Sequence, residues 1–483
     1  MNEQEKFELT PGQKRAFDGF KRFIADNNAK VFIFKGYAGT GKTTLMKEFI
    51  KEMQSLEIQF RLLASTGRAA KILANATGHE AKTIHSEIYK FAYLTAELEN
   101  VAKARENPVN EPLIDSSGQI LLNFELTPTS HSPEQNAIFY IIDEASMVAD
   151  ASEKNSSQAL FGSGKLLSDL FKYDTTGKFV FVGDVCQLPP IAQNISPALS
   201  AQYILDNFDY QCSEFELTEV VRQNDGNDIV HSAHKMRKLY YNPQPWKWAK
   251  FPFKGYHDIH IFNSQAQLIN AYIQRVKEKG FNYATLLCFS NKQCNLSTRI
   301  LRPTFGHMTS NLEEGDLLLV TQNNLISGLM NGDLVVVNQL GTHERRAGMD
   351  FLKVEVKELF TQKVYQQFLI TDILYGAQTN LLPWQHKDLY IDFYYRMKDL
   401  GITQHTKEFY KAMLADPYLN ALRAVFGYAL TCHKAQGGEW EEVYLDIPRN
   451  VPALAKPYVY QWVYTAMTRA KKSLYIVDDF WVM

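Results

Sequence analysis

Apolar positions along the first half of the chain fall into two alternating rhythms. Ala16, Phe17, Phe20, Phe23 and Ile24 recur at helical spacing. Ahead of them, Thr10 suits an N-cap and Pro11 the first helical position. An unbroken apolar run, Val31 to Phe34, then reads as a buried strand. After a glycine-rich turn, a helix is expected from Lys42 to about Met53, a strand over Phe60–Ala64 and a helix near Arg68–Leu73. Strands alternating with helices imply a parallel sheet covered on both faces. The same rhythm resumes at Ala137–Ile142 and Phe179–Val182.

Between about Glu87 and Gln135 the rhythm breaks. This stretch holds a polar helix, Pro108 and Pro112, a Ser116-Ser117-Gly118 turn and an alternating run from Ile120 to Leu126. It is too long for a simple crossover and predicts an inserted subdomain, with the alternating run as one strand of a hairpin. A second α/β unit starts near Val221, with strand Thr285–Phe289 and helix Gln293–Arg302. From about Asn331 the pattern turns to β: Leu334–Val337, Leu352–Leu359 and Lys363–Ile370 predict a small antiparallel barrel. Helical sequence returns at Lys407–Leu414, and strand Val443–Leu445 resumes the sheet. The division expected is 1–86 with 136–220, an insertion at 87–135, then 221–330 with 413–483, and a β insertion at 331–412.

Composition narrows the class. The 483 residues are 45% apolar and 22% charged, as in a folded globular protein. The 51 Lys and Arg nearly cancel 53 Asp and Glu, leaving a net charge of −2. That excludes a basic DNA-coating protein but leaves room for a basic groove on a neutral body. The five cysteines form no CxxC pair, which argues against a zinc ribbon and fits a reducing cytoplasm. No apolar run approaches the length of a membrane span, and the first ten residues lack the apolar core of a signal peptide.

The chemistry begins at Gly36-Tyr37-Ala38-Gly39-Thr40-Gly41-Lys42-Thr43, a G-x-x-x-x-G-K-T string between a strand and a helix. Glycines at Gly36, Gly39 and Gly41 let backbone N–H groups wrap phosphate oxygens, and the helix N-terminus adds partial positive charge. Lys42 can reach the β- and γ-phosphates of ATP; Thr43 can ligate Mg²⁺, and Thr44 completes the nucleotide-binding set. A second strand, Ile138–Ile142, ends in Asp143-Glu144. There Asp143 is expected to hold Mg²⁺ and Glu144 to orient and deprotonate the attacking water.

Four further strings follow in order: Gly183-Asp184-Val185-Cys186-Gln187-Leu188-Pro189-Pro190, Leu217 to Gln223, Thr431 to Gly437, and Val463 to Ala470. With the phosphate loop they resemble the superfamily-one DNA helicases of the RecD/Dda type, from Gln13 to about Val477. The resemblance implies two RecA-like parallel-sheet domains, an inserted hairpin and an inserted SH3-like β-barrel. It implies an ATP- and Mg²⁺-dependent motor that moves 5′→3′ on single-stranded DNA, unwinds duplex at fork junctions and works as a monomer. By the same resemblance Gln13 reads the adenine, Gln187 senses the γ-phosphate, Arg222 and Arg469 reach it from the second domain, and Glu439 contacts nucleotide. Contacts to single-stranded DNA are expected from Ser65, Thr66, Arg68, Thr83, His85, Asn291, Thr431 and His433. Phe124, on the inserted hairpin, is the expected aromatic of a strand-separation pin. An RNA helicase, a translocase that strips proteins, and a non-motor ATP-binding switch remain as alternatives.

Overall fold

The computed structural model describes residues 9–106, 122–129, 137–151, 159–191, 193–219, 228–376 and 378–483. The first helix, Pro11–Ala25, is entered through a capping box. The Thr10 hydroxyl accepts from Gln13 N–H, and the Gln13 side chain accepts from Thr10 N–H at 3.0 Å. The strand after it, Val31–Gly36, is the phosphate-loop strand. It lies in a six-stranded sheet ordered Ala81–Thr83, Phe60–Ala64, Phe139–Asp143, Lys178–Gly183, Val31–Gly36, Cys212–Leu217. Every pairing in it is parallel. Val31 and Ile33 face one core, with Phe179 and Phe181; Phe32 and Phe34 face the other, with Phe20 and Phe49. A strand buried on both faces is apolar throughout, which is why Val31–Phe34 shows no alternation.

A second all-parallel sheet is ordered Ile259–Phe262, Ala470–Val477, Trp440–Asp446, Ala284–Cys288, Leu430–Thr431. The helix Tyr458–Met467 runs into its strand Ala470–Val477 and is buried at every position from Val459 onward. An α/β architecture of two parallel sheets is thus present, as the alternating pattern requires.

Both insertions are larger than their sequence signals. The β insertion is a five-stranded antiparallel sheet, ordered Val364–Ile370, Met349–Glu358, Leu334–Arg346, Leu317–Val320, Ala424–Phe426. It therefore begins before 331 and ends after 412, and between its last strands it carries the helices Thr371–Tyr375, Pro383–Asp399 and Lys407–Ala415. In the first insertion the strand is Leu122–Leu126; the Ser116–Gly118 turn, Ile120 and Leu121 lie outside the described residues. This strand pairs antiparallel with Tyr89–Leu94 and parallel with Ala159–Phe161, so a segment from beyond 135 completes a three-stranded sheet.

The two insertions dock on each other. Leu94, Leu98, Val101 and Ala102 pack into a shared core with Phe393, Met397, Phe409 and Met413. Gln404 accepts from Leu98 N–H at 2.8 Å and donates to the Ala96 carbonyl at 3.1 Å. These contacts form a bridge between the two α/β units in addition to their direct interface.

Candidate nucleotide site and nucleic-acid track

The loops leaving the carboxyl ends of Val31–Gly36, Phe139–Asp143 and Lys178–Gly183 converge, as ligand-binding loops of parallel sheets do. They meet residues of the second unit around a cavity of about 630 Å³. Gly39 and Gly41 take φ values of 78° and 80°, which a side chain would strain, and Gly41 leads directly into the helix Lys42–Ser55. A Cβ at Gly36 would crowd Lys42 and Thr40 at 2.8 Å. The Lys42 ammonium donates to the carbonyls of Gly36, at 2.8 Å, and Tyr37, at 3.2 Å. Thr43 and Thr44 face the cavity with it.

Asp143 and Glu144 stand on the same cavity wall. Burial, then the neighbouring Glu144, pushes the Asp143 carboxyl up to about 7. One of its oxygens accepts from Glu144 N–H at 2.9 Å. Glu144 has left-handed backbone, φ 50°, an unusual conformation for a non-glycine residue at a strand end. Hard oxygens from Thr43 and Asp143 fit a Mg²⁺ ion that arrives with nucleotide phosphates. Among the described residues no cluster of three or more His, Cys, Asp or Glu forms a cage for a metal by itself.

The second unit closes the site through one helix. Leu188 N–H donates to the Thr465 hydroxyl at 2.8 Å, and the Gln461 side chain donates to the Gln187 carbonyl at 3.2 Å. Tyr464 accepts from Ala38 N–H of the phosphate loop at 3.1 Å and donates to Asp184 at 2.7 Å. Just past this helix, Arg469 is held by the carbonyls of Thr465, at 3.1 Å, and Gly438, at 3.4 Å. Gln187 is buried, with its side-chain oxygen unpaired, and lines the same cavity as Arg469. Glu439 lines it from an exposed position, 3.8 Å from Lys471. Arg222 lies outside the described residues.

Gln13 also reaches the cavity, but both ends of its amide are engaged. The oxygen closes the capping box, and the nitrogen donates to the Thr40 carbonyl at 3.3 Å. In this arrangement it ties the first helix to the phosphate loop.

The expected DNA contacts separate into groups. Thr66 and His433 share a smaller cavity of about 220 Å³ with Lys434 and Pro189–Ile191. Burial pushes the Lys434 ammonium down to about 8. Ser65, next to Thr66 in sequence, has a buried, unpaired hydroxyl, and the Thr431 hydroxyl accepts from Lys434 N–H at 3.4 Å. Thr66 and Thr83 spend their hydroxyls as N-caps of the helices Gly67–Thr77 and Ile84–Ile88. Asn291 is exposed at the first turn of Asn291–Thr304. His85 packs edge-on to Phe161 at 5.0 Å; burial pushes its pKa down to about 4, so it is neutral and no cation for phosphate.

Two expected DNA residues have further neighbours. Arg68 lines both the nucleotide cavity and the smaller cavity, with the ring centres of Trp440 and Phe360 4.6 Å and 4.7 Å from its guanidinium carbon. Phe124 sits in the central strand of the three-stranded sheet, stacked on Phe161 at 4.8 Å and edge-on to Phe91 at 5.8 Å. A strand held on both sides, with its ring packed on two others, anchors the sheet. Tyr464, Asp184 and Lys434 were within the matched strings, yet nothing in their local sequence marks a partner from the other unit.

A family model described as an AAA domain matches residues 8–239, and one described as a UvrD-like helicase C-terminal domain matches residues 426–477. The chain is similar to the ATP-dependent DNA helicase dda of Enterobacteria phage T4, 32% identical over 321 residues, which cover 65% of this chain and 61% of that protein. It is also similar to the ATP-dependent RecD2 DNA helicase of Deinococcus radiodurans, 22% identical over 444 residues, 92% of this chain and 46% of that protein. The chain thus spans less than two thirds of either relative. A crystal structure of Pif1 helicase from Bacteroides with ADP-AlF3 and single-stranded DNA covers 98% of this chain, and this chain 93% of it, at 15% identity and a TM-score of 0.42.

Proposed function

Because this chain belongs to the superfamily-one helicases of the RecD/Dda type, we propose that it is an ATP-driven motor moving 5′→3′ on single-stranded DNA and unwinding duplex at forks. The observation that carries the reading is the seam between the two parallel-sheet units. The helix Tyr458–Met467 of the second unit hydrogen-bonds to the phosphate loop and to the Asp184–Leu188 loop of the first, and Arg469 follows directly after it. A nucleotide bound in that seam contacts both units, so its binding and hydrolysis bias their relative position.

The residues divide the work. Backbone N–H groups around Gly39 and Gly41, with Lys42, cradle the β- and γ-phosphates. Thr43 and Asp143 supply oxygens for Mg²⁺, which when bound neutralises charge on the phosphates. Glu144 orients and deprotonates the attacking water. Gln187 senses the γ-phosphate from the first unit. Arg469 meets it from the second with a planar fork that stabilises the spreading charge, and Arg222 joins it in that role. Glu439 contacts the nucleotide at the rim. Single-stranded DNA runs past Thr66, Thr431, His433 and Lys434, with Ser65, Thr83 and Asn291 extending the track. Hydroxyls, amides and a lysine of this kind hold phosphates without reading bases. The β insertion is assigned as an SH3-like barrel and the first insertion as the element that meets the fork. No described helix is long and apolar enough to cross a membrane.

The test is ATP hydrolysis with and without nucleic acid. Single-stranded DNA is expected to raise the rate strongly, and Lys42→Ala to abolish it while leaving nucleotide-free DNA binding intact. Hydrolysis indifferent to nucleic acid would identify a non-motor switch, and stimulation by RNA alone an RNA helicase.

A further inference from the structure

Two guanidinium groups meet at Gly438. Arg469 donates to the Gly438 carbonyl, and a Cβ on the same glycine would collide with the guanidinium of Arg68. Both side chains are buried, Arg68 at 7% and Arg469 at 4% exposure. Arg68 forms no hydrogen bond through Nη1, a buried atom. The ring centres of Trp440 and Phe360 lie 4.6 Å and 4.7 Å from its guanidinium carbon and 6.4 Å from each other, so the two rings pack at an angle to one another and do not sandwich it.

The acids nearest Arg68 are engaged with other donors. Asp333 accepts from Lys71 and, at 2.9 Å, from Met330 N–H. Glu358 accepts from Phe360 N–H, at 3.1 Å, and from Thr361 N–H. Aromatic rings against a guanidinium satisfy none of its in-plane N–H groups. Asp333 and Glu358 attract the Arg68 charge and Arg469 repels it, but neither acid hydrogen-bonds to it, and a buried guanidinium N–H without a partner is costly. The arrangement calls for an anion, and both arginines line the cavity that holds Lys42 and Thr43.

We propose that Arg68 binds the phosphate chain of the nucleotide beside Arg469, as a further phosphate-binding arginine of the site. This rests on the nucleotide-site reading given above, and it moves Arg68 from the DNA track to ATP. The helix Gly67–Thr77 that carries Arg68 is tied through Lys71 to Asp333 of the β insertion, and Phe360 of the same insertion covers the guanidinium. Nucleotide binding at Arg68 therefore engages the β insertion as well as the two parallel-sheet units. Arg68 also borders the smaller cavity with Thr66 and His433, so a DNA phosphate is the competing source of the anion.

The full chain with Arg68→Gln, Arg68→Lys or Gly438→Ala separates the two. Binding of a fluorescent, slowly hydrolysed ATP analogue is measured without DNA, and binding of single-stranded DNA without nucleotide at several salt concentrations. Arg68→Gln is expected to weaken the analogue by about tenfold to a hundredfold, the effect of losing a hydrogen bond to a charged group. Gly438→Ala, which displaces the guanidinium without removing it, shifts affinity in the same direction. Arg68→Lys restores part of the loss, since it keeps the charge but not the fork. The salt dependence of DNA binding stays unchanged in all three.

Unchanged analogue affinity together with a salt slope shallower by about 0.7 would assign Arg68 to DNA and overturn the proposal. So would a lowered melting temperature with both affinities intact, the mark of a packing residue. Lys42→Ala is run alongside. If it leaves hydrolysis intact, the nucleotide site itself is misassigned; if it abolishes hydrolysis while Arg68→Gln binds the analogue normally, only the Arg68 assignment falls.

Discussion

The Tyr464 hydroxyl donates to the Asp184 carboxylate at 2.7 Å across the seam between the two parallel-sheet units, and the same oxygen accepts from Ala38 N–H of the phosphate loop. Burial holds the Asp184 carboxyl above the usual range, while Lys42 and the Tyr464 hydrogen bond pull it back. One phenol thus serves a phosphate-loop amide and one oxygen of a buried acid, whose other oxygen accepts from Cys186 N–H at 2.9 Å.

Tyr464→Phe keeps the ring and removes both bonds. It is expected to cost about 1–3 kcal/mol of stability, because one buried Asp184 oxygen is left unpaired. DNA-stimulated hydrolysis should fall while nucleotide-free DNA binding holds. Thermal melting and steady-state ATPase measurements check both. Unchanged melting and turnover would mean that the seam does not depend on this bond.

DNA binding should weaken as pH rises through about 8. Burial lowers the Lys434 pKa, so the ammonium is charged below that pH and neutral above it. Between pH 7 and 9 the salt slope of single-stranded DNA binding should become shallower by up to about 0.7, the share of one phosphate contact. Lys434→Met should show the shallower slope at both pH values. A wild-type slope that is constant from pH 7 to 9 would remove Lys434 from the track.

Much of the fold is legible in the sequence because its causes are local. Thr10-Pro11 with Gln13 announces a capping box, and the Val31–Phe34 run announces a strand covered on both faces. The helix Pro383–Asp399 is not legible. Its buried Leu389, Tyr390, Phe393, Tyr394 and Met397 recur at helical spacing, but Trp384, Ile391 and Tyr395 put large apolar side chains on the opposite face and blur the stripe. The pairing of Tyr464 with Asp184 spans 280 residues, and no spacing rule reaches that far. The setting of Arg68 is equally remote from its motif: Trp440 and Phe360, distant in sequence, pack on its guanidinium where it borders both cavities.

Phe124→Ala should act on stability. Its ring stacks on Phe161 and meets Phe91, which in turn contacts Tyr410 of the other insertion. Losing a half-buried ring from that cluster is expected to cost about 2 kcal/mol, below the range for a full-core phenylalanine. Phe124→Leu should recover most of it. Thermal melting checks the cost. Full melting stability in Phe124→Ala with selective loss of duplex unwinding would return the residue to the fork.

The central claim is a motor of defined polarity, and its most direct measurement is ATP-dependent strand separation on two partial duplexes of identical sequence. One carries a 5′ single-stranded tail and the other a 3′ tail. The account predicts unwinding of the 5′-tailed duplex, loss of that unwinding in Lys42→Ala, and little or none on the 3′-tailed duplex. Equal unwinding from both tails, preference for the 3′ tail, or DNA-stimulated hydrolysis with no strand separation on either would contradict it.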